Sequence, residues 1–220
     1  MMKTMVTPTI TDMTNPIVTG VHQMKITRRK TMGKKPLNRE QIQQIRILVK
    51  GKPLHELLLN LSVDLMLRSS DLRNLKVSDV MNPSGTVKES VSVKQVKTGK
   101  RTLSMPILEN SRLAIAEHLS DKSQDEFVFE GRKSNYTRQP ISGQQYGRIV
   151  KGWMKELGLE DVSEFSTHSM RKSKATAIYE ETHDVDAVRR LLGQGSVTAT
   201  SAYLGVTDNS ALELAKSINL

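Results

Sequence analysis

Apolar residues recur at intervals of three and four along most of this chain, and at intervals of two over one short stretch. The first helical pattern begins near Leu37. Asn38 is placed to cap it, with Gln41 three residues on to complete the reciprocal cap, and Ile42, Ile45 and Leu48 fall on one face. Gly51-Lys52-Pro53 breaks the chain, and Pro53 suits the first turn of a second helix. Leu57, Leu61, Leu65 and their neighbours make that helix apolar nearly all round, which predicts burial at the centre of a helical bundle. Leu72 and Leu75 continue the stripe. The period then changes. Asn82-Pro83-Ser84-Gly85 is turn chemistry, Ser90 to Val96 alternates, and Leu103, Met105 and Ile107 line a return strand. Lys97-Thr98-Gly99-Lys100 forms the hairpin tip between them.

Helical spacing resumes after the hairpin. Asn110 or Ser111 caps a helix reaching about Ser120, and Phe127-Val128-Phe129 is a short extended piece. Ser142 caps a helix carrying Tyr146, Ile149, Val150, Trp153 and Met154, ended by Gly158. Ser166 or Thr167 starts a helix in which His168, Arg171, Ala175 and Ile178 follow one stripe, with Lys172 and Lys174 to the sides. His183-Asp184 opens another, stopped by Gly193, and Ser196 caps a short helix from Val197 to about Leu204 that holds Tyr203. A last helix, about 209–218, shows Ala211, Ala215 and Ile218 on one side and needs something to pack on. The fold class is mainly α with a small antiparallel β-hairpin. Residues 1–36 show neither period and read as a flexible tail before a domain spanning 37–220.

Charge sharpens this picture. The chain carries a formal +10, and the tail holds seven Lys and Arg against one acid, Asp12. Arg28-Arg29-Lys30 and Lys34-Lys35 can run along a phosphate backbone. Arg132, Lys133, Asn135 and Arg138 stock a polar loop for the same purpose. The balance favours nucleic acid over an acidic membrane surface as partner, against the plain alternative of solvated lysines. There is no cysteine, which excludes disulfides, thiolate metal sites and a cysteine nucleophile and suits a reducing cytoplasm. No apolar run approaches the ~20 residues of a membrane span.

Against a phosphodiester, the polar inventory has a use. Two arginines, Arg68 and Arg171, can grip non-bridging oxygens. His168 can shuttle a proton, Lys97 on a mobile tip can protonate a departing hydroxyl, and Tyr203 can attack phosphorus. Asp71, three residues after Arg68, can touch it. No carboxylate cluster suggests a two-metal site and no Gly-rich loop suggests a nucleotide, so the chemistry would be free of metal and cofactor. Taken singly, each piece has an ordinary reading: a surface ion pair, a solubilising lysine, a packed tyrosine.

In combination and in this order, the pieces resemble the tyrosine recombinase (phage integrase) family. Leu67-Arg68-Ser69-Ser70-Asp71-Leu72 is similar to its first-arginine box, where the acid supports the arginine. Val96-Lys97-Thr98-Gly99-Lys100 followed by Met105-Pro106-Ile107 resembles the catalytic-lysine hairpin. Thr167-His168-Ser169-Met170-Arg171 resembles the His-x-x-Arg box, and Leu191-Leu192-Gly193-Gln194 through Tyr203-Leu204 the final box. The resemblance covers about residues 37–208. It implies that Arg68 and Arg171 clamp the scissile phosphate and that Lys97 is the general acid for the 5′-hydroxyl. His168 would assist deprotonation of Tyr203, which becomes a 3′-phosphotyrosyl link. The resemblance also implies double-stranded DNA as partner, a tetramer on two sites, and Lys100, Arg101, Arg138, Lys172 and Lys174 among the DNA contacts.

Two departures from the family pattern stand out. Gln194 occupies a position where most members have His or Trp; its amide can donate to a phosphate oxygen but carries no proton, so activity is expected to persist with a smaller contribution there. Only 36 residues precede the catalytic region, too few for the separate helical DNA-binding domain of many members. The basic tail or an accessory protein would stand in. A DNA-binding relative without catalysis and a type IB topoisomerase are the competing readings. Retention of Tyr203 argues against the first and the spacing of the last box against the second.

Overall fold

The computed structural model describes residues 33–131 and 138–207, together with Leu212 and Lys216. The chain divides into a unit of Met1–Thr31, outside the described residues, and a second unit of Met32–Leu220. The expected final helix also lies largely outside them, with Leu212 and Lys216 helical.

Helix α1 (Arg39–Val49) begins as its sequence dictates. The Asn38 side chain accepts from the Gln41 backbone N–H, the Gln41 side chain accepts from Asn38 N–H, and Ile42, Ile45 and Val49 turn inward. Helix α2 (Pro53–Asp64) has Pro53 in its first turn, where the missing N–H costs nothing. Every residue from Leu57 to Asp64 is buried, so the helix runs through the centre of the core, packed on α1, α5 (Glu109–Leu119) and α7 (Thr167–Thr182). Its buried polar groups have partners, as burial requires. Asn60 accepts from Arg46 Nε at 3.0 Å, and Asp64 accepts from Ser111 Oγ at 2.6 Å.

The expected continuous stripe through Leu72 and Leu75 is corrected by a break. Leu65 caps α2, and Met66, 2% exposed, takes the left-handed conformation with φ +47°. The chain turns there and restarts as α3 (Ser69–Arg73), followed by α4 (Val77–Val80). The hairpin exists with short regular strands: β1 (Ser90–Val91) pairs antiparallel with β2 (Met105–Pro106), and a bridge joins Lys94 to Arg101 nearer the tip. Met105 and Ile107 are buried as expected, but Leu103 is half exposed. Val128 donates to the Leu75 carbonyl and Ile141 to that of Phe129, fixing the extended piece.

Helix α5 starts after Leu108 without a side-chain cap, two or three residues earlier than Asn110 or Ser111 suggests. Ser111 is instead spent on Asp64. Helix α6 (Gly143–Glu156) starts at the expected Ser142 cap and buries Tyr146, Val150, Trp153 and Met154. The C-terminal part is α7, α8 (Val185–Leu192) and α9 (Val197–Leu204), each opened by a side-chain cap: Ser166, Asp184 and Ser196. No described helix is long and apolar enough to cross a membrane.

Candidate active site

Three breaks in the helical framework meet at one place: the α2–α3 turn, the α8–α9 turn and the hairpin. Arg68 is the N-cap residue of α3, brought out of the apolar run by the turn at Met66. Its Nη1 donates to Gln95 Oε1 at 2.6 Å. The expected pairing with Asp71 is not made. Asp71 is buried, and its Oδ1 accepts the backbone N–H of Val96 at 2.9 Å, so the acid holds the hairpin one residue before Lys97.

Arg171 comes from the second turn of α7. It is 5% exposed, and its Nη2 donates to the Leu192 carbonyl at 2.6 Å, tying α7 to the end of α8. Burial lowers its pKa to about 10, so it is still a cation at neutral pH. His168, one turn earlier, lies at the surface; its imidazole makes no hydrogen bond among the described residues. Partial desolvation, and then the charge of Arg171, hold it below its ordinary value.

Gly193 ends α8 at φ +59°, which a glycine reaches without a Cβ penalty. The turn is clamped by Arg189, whose Nη1 donates to the Gln194 carbonyl at 3.1 Å and whose Nε pairs with Asp186 at 2.6 Å. The Gln194 side chain accepts from Thr200 Oγ1 at 2.6 Å. Thr200 Oγ1 also donates to the Ser196 carbonyl at 3.0 Å, so its one proton is shared between two acceptors. One turn beyond Thr200, the Tyr203 hydroxyl is buried beside the Arg171 guanidinium. Burial pushes this phenol up, and the charges of Arg171 and Arg68 pull it partly back. The Lys172 ammonium sits 5.7 Å from the Tyr203 ring centroid, within cation–π range.

The structure brings Arg68, Arg171 and Tyr203 together, sets His168 beside Arg171, and places Gln194 on the α8–α9 turn against Thr200. Lys97 stays apart: it is exposed on the tip and its ammonium has no partner among the described residues. The expected DNA contacts divide. Lys100 is exposed, and Arg101 donates to the Ser92 carbonyl at 3.3 Å. Arg138 is paired with Glu126 and Lys174 donates to the Asp64 carbonyl, so both have protein partners. Lys34 donates to the Ser163 carbonyl and Lys35 pairs with Glu164, so both are held against the domain. Arg28, Arg29, Lys30, Arg132, Lys133 and Asn135 lie outside the described residues.

The profile of the phage integrase family matches residues 35–210. The chain belongs to that family. It is 31% identical over 179 residues to the probable integrase/recombinase YoeC of Bacillus subtilis, an alignment covering 77% of this chain and 92% of YoeC. To the tyrosine recombinase XerA of Pyrococcus furiosus it is 29% identical, covering 84% of this chain and 62% of XerA. Among solved structures, XerH bound to difH substrate before cleavage superposes with a TM-score of 0.63 at 22% identity, covering 88% of this chain and 56% of the XerH chain. That likeness shows a shared fold. This integrase-family chain therefore spans little more than half of the XerA and XerH lengths. Family membership supports site-specific DNA recombination as its general role.

Two members of the site escaped sequence reasoning. Gln95 left a signal: in the alternating run it falls on the face of Val91 and Val93, a polar residue at an inward position. Thr200 left none, because its bond to Gln194 forms across a turn whose shape the sequence does not display.

Proposed function

We propose that this integrase-family chain is a site-specific DNA recombinase that cuts and rejoins DNA through a 3′-phosphotyrosyl intermediate. In the first step His168 takes the phenol proton and the Tyr203 oxygen attacks the scissile phosphorus. The bond from phosphorus to the 5′ oxygen breaks, and Lys97 gives that oxygen a proton. Arg68 and Arg171 offset the charge that gathers on the non-bridging oxygens, with the Gln194 amide as a further donor. Attack by the 5′-hydroxyl of a partner strand reverses the step. The covalent link conserves the bond, so the cycle needs no ATP.

The observation that carries this reading is the setting of Tyr203. Its hydroxyl is buried, and the groups that act on it are both arginines, Arg171 nearest. A tyrosine that merely packs has no need of two guanidinium groups around its oxygen. A geometry in which Lys97 is exposed on a tip suits an acid that closes on the leaving group once DNA is present.

The test works without a known target site. Wild type and Tyr203→Phe are expressed in cells carrying the native flanking DNA, lysed under denaturing conditions, and the protein-linked DNA is sequenced. Wild-type adducts at a discrete locus, absent with Tyr203→Phe, are expected. Scattered adducts without a preferred site would favour a topoisomerase, and adducts persisting in Tyr203→Phe would remove Tyr203 as nucleophile.

A further inference from the structure

The first arginine and the lysine tip have no direct contact, yet the chemistry proposed above requires them on the same phosphate. One buried amide stands between them. The Gln95 side chain is 3% exposed. Its Oε1 accepts two hydrogen bonds, from Arg68 Nη1 at 2.6 Å and from Thr98 Oγ1, the residue after Lys97, at 2.7 Å. Its backbone closes the tip as well: Gln95 N–H donates to the Lys100 carbonyl and the Gln95 carbonyl accepts from Gly99, both at 2.9 Å. On the far side its Nε2 lies against Gly193, 2.5 Å from where a Cβ would stand. The α2–α3 turn, the tip and the α8–α9 turn therefore share one side chain.

We propose that Gln95 is a positioning residue that sets Arg68 and the Lys97 tip in register with the Gln194 turn. The residue type fits the task. A carbonyl oxygen has two lone pairs and both are used. The acceptor is buried and joins two elements, so losing the amide unties the part-buried Arg68 from the tip. An amide is also neutral. A carboxylate in its place would accept the same two bonds but would pair with Arg68 and offset the charge meant for the phosphate. Gln95 thus orients the guanidinium without neutralising it.

This role rests on the cleavage chemistry proposed above, and two variants separate its parts. Gln95→Met keeps the length and removes both bonds. Gln95→Glu keeps both bonds and adds the charge. Hydrogen exchange is measured on the DNA-free full chain, and the rate of covalent adduct formation on a synthetic duplex carrying the captured locus. In Gln95→Met, exchange across residues 96–101 is expected to quicken several-fold while α5 and α6 stay unchanged. Its adduct rate is expected to fall about tenfold or more with duplex affinity held within about twofold. In Gln95→Glu, exchange at the tip is expected to stay as in wild type while the adduct rate still falls. Should Gln95→Met fail to fold, Thr98→Val at the exposed tip removes one of the two bonds, together with the 3.4 Å contact from Lys100 N–H, and should quicken exchange at Gly99 and Lys100. Unchanged tip exchange in both Gln95→Met and Thr98→Val would overturn the coupling, and a wild-type adduct rate in Gln95→Met would overturn the catalytic role. If the wild type itself captures no locus, the cleavage chemistry fails, and the exchange result still decides whether Gln95 couples the turns.

Discussion

At the scale of single residues, the site is set by what burial does to three titratable groups. Arg171 is lowered to about 10 and remains charged at any working pH. The Tyr203 phenol is pushed above its ordinary value of 10.0, so at neutral pH almost none is phenolate and a base must take its proton. His168 is held below 6.5 by partial desolvation and by Arg171, which keeps it neutral and able to accept at pH 7. Adduct formation is therefore expected to be flat from about pH 8 to about pH 6.5 and to fall at lower pH as His168 becomes protonated. A rate that climbs between pH 7 and pH 5.5 would show that the imidazolium, not the imidazole, is the working form. The same sign governs stability. His55 and His168 are both held below 6.5 in the folded chain, so the unfolded chain takes up their protons first as pH drops. Stability should be full above about pH 6.5 and should decline as pH falls through the folded values, with a smaller decline in His55→Gln. Melting temperatures at pH 7.5 and pH 5.5 for the two proteins check this.

At the scale of elements, the turns carry the function and the helices carry the turns. Gly193 shows how tightly the two are joined. Its φ of +59° disfavours any side chain by about 1 kcal/mol, and an added Cβ would lie 2.5 Å from the buried Gln95 amide. Gly193→Ala is expected to lose about 1–3 kcal/mol of stability and a larger share of its adduct rate, because Gln95 must move away from Arg68. Denaturant unfolding and adduct kinetics on the same preparation measure the two effects, and a variant that loses stability while cleaving at the wild-type rate would separate Gly193 from the site. Helices α1, α6, α8 and α9 are legible because each is written twice, in its apolar period and in its cap. Asn38 with Gln41, Ser142, Asp184 and Ser196 all cap as their positions suggest. The break at Met66 is not legible, since a left-handed methionine has no sequence mark and the apolar stripe runs through it. For the same reason the spacing misleads at Asp71: a helical period puts it beside Arg68, but the chain is not helical at Arg68 and the acid meets the hairpin instead. The site residues are readable by type and order. Their connections, which run through Gln95 and Thr200, depend on how three turns approach one another, and no local pattern encodes that.

At the scale of the whole molecule, the proposed recombinase role requires a grip on DNA. Several of the described cations are engaged with protein groups. Lys34 and Lys35 are docked on residues 163–164, Arg138 on Glu126 and Lys174 on the Asp64 carbonyl. Lys97, the proposed general acid, and Lys100 stay exposed at the tip, and Lys50, Lys52, Lys94, Arg148, Lys151 and Lys155 are exposed elsewhere on the domain. The densest run is Arg28-Arg29-Lys30, with Lys3 and Lys25 before it. We propose that these residues add sequence-independent affinity by displacing counterions. Each phosphate they neutralise contributes about 0.9 to the slope of log affinity against log salt on duplex DNA. Removing residues 1–32 leaves Lys34, Lys35 and the α1 cap in place, so the domain should melt as before. If the Arg28-Arg29-Lys30 run reaches three phosphates, the truncated chain should bind non-specific duplex with a slope flatter by roughly 2–3 and with much less affinity at low salt. Cleavage of prebound DNA at saturating protein should change little, because no group of the cutting step lies in that stretch. A slope identical to that of the full chain would mean that the run lies off the DNA. The affinity would then have to come from the exposed cations of the domain or from a second protein.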